Sequence, residues 1–276
     1  NSLLTLAIKL RDNGEYTWGI KSLEKLAQLY KQNNNYCIDY LNVLSNIGFL
    51  YNQIGMNDLA IQKTNEANRI LDNLPGMSDS LRNVHYATNL NNLSKYHLEE
   101  GAYLISLSLI LKATEIRKET LGINHPLHIQ SKSNLAAAYA HYGTINEAIK
   151  ENEEVLRLLK ENSTETSQYI ISLNNQGDYY NSNQESNKAI PYFNLALEKY
   201  AEYGIEDNVL KASIFLNFAV SKYIEGSIDK AISHMDSSAK ILYRDYTSKA
   251  ISMTEAMKLS YKQELERNTL FKLFLV

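Results

Sequence analysis

Residues 134–148 read NLAAAYAHYGTINEA. Leu135, Ala136 and Tyr139 fall on one face of a helix, because positions three and four apart lie above one another. Ala136 is small enough for a second helix to approach its backbone. Gly143 supplies the left-handed residue that ends a helix at little cost. Ala148 then lies where a returning helix would cross the first. The stretch predicts two antiparallel helices joined by a tight turn.

The same skeleton recurs along the chain. It runs through Leu44, Ile47, Gly48, Tyr51, Gly55, Ala60 and Ala67, and again through Leu173, Gly177, Tyr180, Ala189, Phe193 and Ala196. Three further copies run through Leu3, Ala7 and Gly14, through Leu90, Ser94, Gly101, Ser106 and Ala113, and through Phe215, Ala219, Gly226 and Ala231. The small residue of the first helix stands at 7, 48, 94, 136, 177 and 219, so the steps are 41, 46, 42, 41 and 42. Pro75-Gly76 lies in the long step and is expected to absorb the extra residues in a turn. Gln184 replaces the turn glycine of the fifth copy, which predicts a less favourable turn there. One helix pair cannot bury its apolar face alone, so the copies must stack.

Composition agrees with long helices. The chain has 276 residues, 44% hydrophobic and 21% charged, with only three prolines and eleven glycines. That apolar content suits a large core and is too high for a disordered chain. A net charge of −3 gives no general attraction to nucleic acid or to an anionic membrane. The single cysteine, Cys37, excludes a disulfide framework and a cysteine-based metal site, and it reads as a small apolar group on a helix. No signal peptide or apolar span is visible, which favours the cytoplasm. The Asn/Ile/Lys/Tyr-rich composition is of a bacterial kind.

The repeat resembles the tetratricopeptide repeat, in the longer form of about 42 residues seen in kinesin light chain. Residues 113–126, ATEIRKETLGINHP, followed by NLAAAYAHYG at 134–143, carry the resemblance most closely. It covers residues 1–245 or so and implies an all-α, right-handed α-solenoid of antiparallel helix pairs. Six repeats are expected within residues 1–246, at about 1–38, 41–75, 87–121, 129–162, 170–204 and 212–246. Residues 247–276 read as a capping helix or half of a seventh repeat. Asn1 in place of Met and the apolar run Leu270–Val276 suggest a domain excised from a longer chain.

Aligning the copies on the small residue exposes one column two places before it: Thr5, Asn46, Asn92, Asn134, Asn175, Asn217. Asn accounts for about one residue in nine of the chain, so five in one column is far from a chance outcome. At about 100° per residue the column lies roughly 150° from the apolar face, toward the inner side of the solenoid. A free carboxamide there offers one acceptor and two donors, which suit the backbone of an extended peptide whatever its side chains. The resemblance to kinesin light chain and to bacterial peptide-pheromone receptors implies the same contact. The column could instead bond the neighbouring repeat and set the superhelical twist.

Selectivity for a peptide's side chains would come from neighbours on the same face: Phe49, Asn91, Lys95, His141, Asn174, Asp178 and Tyr223. Asn42, Ser45, Gln53, Glu99, Gln130, Ser133, Ala137, Asn181, Ser213, Leu216 and Val220 share that face. The surface is mostly neutral, with apolar patches at Phe49 and at Leu216, Val220 and Tyr223. It suits a ligand of mixed polar and apolar character, and Lys95 stands too isolated for a basic carboxylate clamp.

Catalytic signatures are absent: the sequence has no glycine-rich phosphate loop, no G-x-S-x-G and no H-E-x-x-H. Ser22-Leu23-Glu24-Lys25 matches S-x-x-K without its companion motifs. His125 and His128 are close, but the repeat linker accounts for His125-Pro126 without a metal, and His97 reads as a packed residue. Asn162-Ser163-Thr164 is a formal glycosylation triplet of no expected use. The reading is a protein- or peptide-binding module, not an enzyme, with no cofactor and no nucleic-acid partner. Alternatives are the regulatory part of a larger protein (a caspase-like CHAT protease, a kinase or a membrane-anchored regulator), a peptide-pheromone receptor, or a self-associating scaffold.

Overall fold

The computed structural model describes residues 15–162 and 167–250, with backbone alone for 243–250. The described residues form eleven α-helices and no strand. They are α1 (Tyr16–Gln32), α2 (Ile38–Gln53), α3 (Asn57–Asn73), α4 (Asp79–Glu99), α5 (Tyr103–Leu121), α6 (Pro126–Tyr142), α7 (Ile145–Glu161), α8 (Ser167–Ser182), α9 (Ser186–Glu202), α10 (Asn208–Ile224) and α11 (Ile228–Ala250). The first helix of the first repeat and residues 251–276 lie outside the described residues. No described helix is long and apolar enough to cross a membrane.

The chain divides into two compact units, residues 1–151 and 152–276. Within each, a helix packs on its chain neighbours, and the first helices of successive pairs also meet: α2 with α4, α4 with α6, and α8 with α10. The apolar core is a succession of small clusters and not one centre. In the first unit Ile20, Leu23, Val43 and Ile47 form one cluster, Tyr40, Leu41, Leu44, Ala67 and Leu71 the next, and Ala87, Leu90, Ile110 and Leu135 another. In the second unit Ile170, Leu173, Phe193, Leu210, Ile214 and Phe218 do the same work. This is the α-solenoid of helix pairs that the repeat predicts.

The turns follow the sequence closely. Gly143 has φ 96°, and the amides of Gly143 and Thr144 donate to the carbonyls of Ala140 and Tyr139 at 3.1 and 3.0 Å. Gln184 takes the equivalent place with φ 59°, its amide donating to Asn181 O at 2.9 Å and that of Glu185 to Tyr180 O at 2.9 Å. The turn is preserved, and a residue with a Cβ carries the left-handed conformation.

The long step of 46 residues differs from expectation. The extra residues do not stay in the Pro75-Gly76 turn but lengthen α4 to 21 residues, against 16 for α2 and 17 for α6. Ser78 caps the extended helix, its hydroxyl oxygen accepting from Leu81 N.

Candidate functional site

Helix α4 carries the densest run of asparagines, and the structure gives them separate tasks. Asn89 is buried, accepts the Ser45 hydroxyl of α2 at 2.9 Å and donates to Asn68 Oδ1 of α3 at 2.7 Å. Asn91 is 8% exposed and accepts, through Oδ1, the Nδ2 of Asn134 on α6 at 2.9 Å. Asn92 is half-buried, and its carboxamide meets no hydrogen-bond partner among the described residues. Two of the three asparagines therefore tie α4 to its neighbours and one is left open. A helix tolerates Asn here because the amides that would compete with its backbone are engaged elsewhere.

The second unit repeats the division on α8. Asn174 is 6% exposed and accepts from Asn217 Nδ2 of α10 at 3.1 Å. Asn175, the next residue, is half-buried with no hydrogen-bond partner among the described residues. Both dyads, Asn91-Asn92 and Asn174-Asn175, thus give their first member to the asparagine 43 residues ahead.

The column itself is not uniform. Asn46 is half-buried and donates to Asn42 O of its own helix at 2.8 Å. Asn134 is half-buried and held by Asn91, while Asn217 is only 2% exposed. The sequence expectation places Asn217 in the column of free amides, and Asn91 and Asn174 beside it as selectivity residues on the open face, whereas each is buried in a helix–helix contact. Asn181, also placed on the open face by periodicity, is buried, donating to Asn217 O at 2.9 Å and accepting from Ser221 Oγ at 2.6 Å. Thr5 lies outside the described residues.

The selectivity residues remain nearer solvent. Lys95 lies 3.8 Å from a carboxylate oxygen of Glu99 and 5.8 Å from the centre of the Phe49 ring. Glu99 also accepts from Asn52 Nδ2. Phe49, Lys95, Glu99 and Asn52 thus make a small charged and aromatic cluster between α2 and α4. His141 stacks on Tyr103 with ring centres 5.9 Å apart. Asp178 is half-buried on α8, and Tyr223 is 53% exposed on α10, beside half-buried Leu216 and Val220.

Asn52 escaped the sequence reading, yet it stands four places after Gly48, as Asn181 stands four places after Gly177. Both are buried and both reach the next first helix. The signal was present as a second, sparser asparagine column. Arg117 also escaped it. Its guanidinium is 1% exposed and donates to Leu127 O, Ser131 Oγ and Thr88 Oγ1 at 2.8, 2.7 and 3.2 Å, joining α4, α5 and α6. Burial lowers its pKa to about 10.

The remaining reactive residues have local work. His125 caps α6, its Nδ1 accepting from Leu127 N at 3.1 Å, and Pro126 opens the helix. His128 is buried with Nδ1 3.2 Å from Thr114 O, and burial lowers its pKa. His97 lies 3.7 Å from Glu100. Ser22 donates to Trp18 O on its own helix, at 2.9 Å. Cys37 is a half-buried residue at the start of α2. Among the described residues, no three His, Cys, Asp or Glu side chains are grouped to hold a metal ion.

No family model matches the sequence. No curated protein matches it. Solved structures do. BtubC (BKLC) from P. vanneervenii superposes with a TM-score of 0.65 at 18% identity, over 84% of this chain and 89% of that one. A Podosopora anserina putative kinesin light chain with nearly identical TPR-like repeats gives 0.60 at 16%, over 74% and 96%. The Rap conjugation gene regulator of plasmid pLS20, in complex with the Phr* peptide, gives 0.61 at 14%, over 97% and 84%. The chain has the tetratricopeptide-type fold, of the kind seen in kinesin-light-chain-like repeats.

Proposed function

We propose that the protein is a binding module without catalytic chemistry, which receives an extended peptide or protein segment along the face of its first helices. The observation that carries this reading is the open pair Asn92 and Asn175. Each is a half-buried carboxamide on a packed helix, at the same place in its repeat, with no hydrogen-bond partner among the described residues. An amide so placed is open to water, which a ligand's own donors and acceptors can replace. An extended backbone brings alternating donors and acceptors that fit it. The likeness to a fold that holds the Phr* peptide in the pLS20 regulator supports the same reading.

Phe49, Lys95 and His141 in the first unit, and Asp178 and Tyr223 in the second, would select among side chains. Asn46 and Asn134, both half-buried in the first unit, would assist Asn92. The net charge of −3 argues against a nucleic-acid partner. A random-peptide library displayed on phage, panned on the purified protein, supplies a test ligand. Asn92→Ala should weaken a selected peptide held on the first unit, or Asn175→Ala one held on the second, about fivefold, since each hydrogen bond contributes about 1 kcal/mol. Helix content and melting temperature should stay close to the wild type. Unchanged affinity, or loss of the helical signal, would remove the open pair from the binding reading.

A further inference from the structure

The two asparagine dyads hold more than the open pair. In each, the first residue is nearly buried and uses its side-chain oxygen to accept the Nδ2 of the column asparagine in the next first helix, at 2.9 Å from Asn134 to Asn91 and 3.1 Å from Asn217 to Asn174. The arrangement arises independently in the two units, at the same separation of 43 residues. We propose that Asn91 and Asn174 are positioning residues for ligand binding: Asn91 fixes how Asn134 presents its amide, and Asn174 fixes the helix that carries Asn217. The proposal rests on the peptide-binding reading above and assigns roles within that site.

The chemistry follows from the direction of the bond. An isolated Asn carboxamide can turn either its oxygen or its nitrogen outward. Once one Nδ2 hydrogen of Asn134 is committed to Asn91, the carboxamide plane is fixed and its oxygen and second N–H are left in one orientation, the oxygen with no hydrogen-bond partner among the described residues. Asn134 therefore offers its oxygen to a backbone N–H and its second N–H to a backbone carbonyl, in an orientation set before the ligand arrives. Asn92 has no such constraint and can serve a carbonyl or an N–H. Pre-setting one amide removes rotamer freedom before the ligand arrives, so less is lost on binding. Asn217 is held in the same sense but is nearly buried, so Asn174 acts mainly by fixing α10 beside Asn175.

Asn91→Leu and Asn91→Asp separate positioning from bulk. Leucine fills the site without an acceptor, whereas aspartate keeps an oxygen for Asn134 Nδ2. Against a peptide selected on the wild type from the random phage library, Asn91→Leu should bind about tenfold more weakly, the change that 1.4 kcal/mol produces. Asn91→Asp should restore most of that loss. Wild-type binding by Asn91→Leu, or an aspartate variant as weak as the leucine one, overturns the proposal. Side-chain amide exchange in the wild-type protein, read by NMR, needs no variant to fold. One Asn134 amide proton should exchange more slowly than either proton of Asn92, and equal rates overturn the proposal too. If no peptide enriches on the wild type, the peptide-binding reading falls and this one with it. Enrichment that depends on Asn92 but not on Asn91 removes the positioning role alone.

Discussion

In the first unit Gly48 faces Thr64, whose hydroxyl would lie 2.7 Å from a Cβ added to the glycine. In the second, Gly177 faces the ring of Phe193, and the same added atom would fall 2.6 Å from Cε1. One repeat position thus meets the tip of a small polar side chain in one unit and a rigid ring, stacked on Phe218 at 5.8 Å, in the other. The open faces differ in the same spirit. The first unit lines its face with Asn92, Lys95 and Glu99, while α10 of the second offers Leu216, Val220 and Tyr223. The repeat skeleton sets where helices cross, and the residues placed at the crossing decide how closely they fit.

Substituting the two glycines tests that difference most sharply. Ala for Gly inside a helix gains about 1 kcal/mol from backbone propensity. Overpacking against a buried ring costs about 3 kcal/mol. Gly177→Ala should therefore lose about 2 kcal/mol in denaturant unfolding, and Phe193→Leu in the same chain should return part of it. Gly48→Ala should lose less, because the new Cβ meets one hydroxyl at 2.7 Å and Ala60 O at 3.1 Å, and not several atoms of a buried ring. Equal losses at the two positions would mean that the units are packed alike.

The turns offer a comparison of intermediate size. Gly143 and Gln184 hold equivalent left-handed positions, with φ 96° and 59°. A side chain there costs about 1 kcal/mol relative to glycine. Gln184→Gly should raise stability by about that amount, and Gly143→Gln should lower it similarly. A neutral Gln184→Gly would show that side-chain contacts of Gln184 compensate for its backbone.

The helix pairs and the turn at Gln184 were legible because they depend only on the helical period and on local backbone rules. The tasks of Asn89 and Asn91 were not. Their partners, Ser45, Asn68 and Asn134, stand on other helices, and the offset between stacked helices is set by packing that a period of 3.6 does not encode. The lengthened α4 shows this directly, since it is Asn89 and not Asn92 that reaches Ser45. The burial of Asn217 likewise follows from Asn181 and Asn174 closing over it. Arg117 went unread in sequence, because nothing local shows that Thr88, Leu127 O and Ser131 converge on it.

A last feature is shared by the two units. Tyr51 donates to Glu24 at 2.5 Å and Tyr180 to Glu153 at 3.1 Å, each across 27 residues to the preceding helix. Burial, followed by the hydrogen bond to Glu24, pushes the Tyr51 phenol up to about 12. Burial, followed by the charge of Glu153, does the same for Tyr180, also to about 12. The unfolded chain releases these protons near pH 10, whereas the folded chain keeps them until about pH 12. Between those values the folded state holds more protons, so stability is complete below pH 10 and falls as pH rises through 12. Denaturant midpoints measured across that window should decline less steeply in Tyr51→Phe and in Tyr180→Phe, and least in the double variant. A double variant that declines as steeply as the wild type would exclude both struts as the source, and a difference between the single variants would show which unit depends more on its tyrosine.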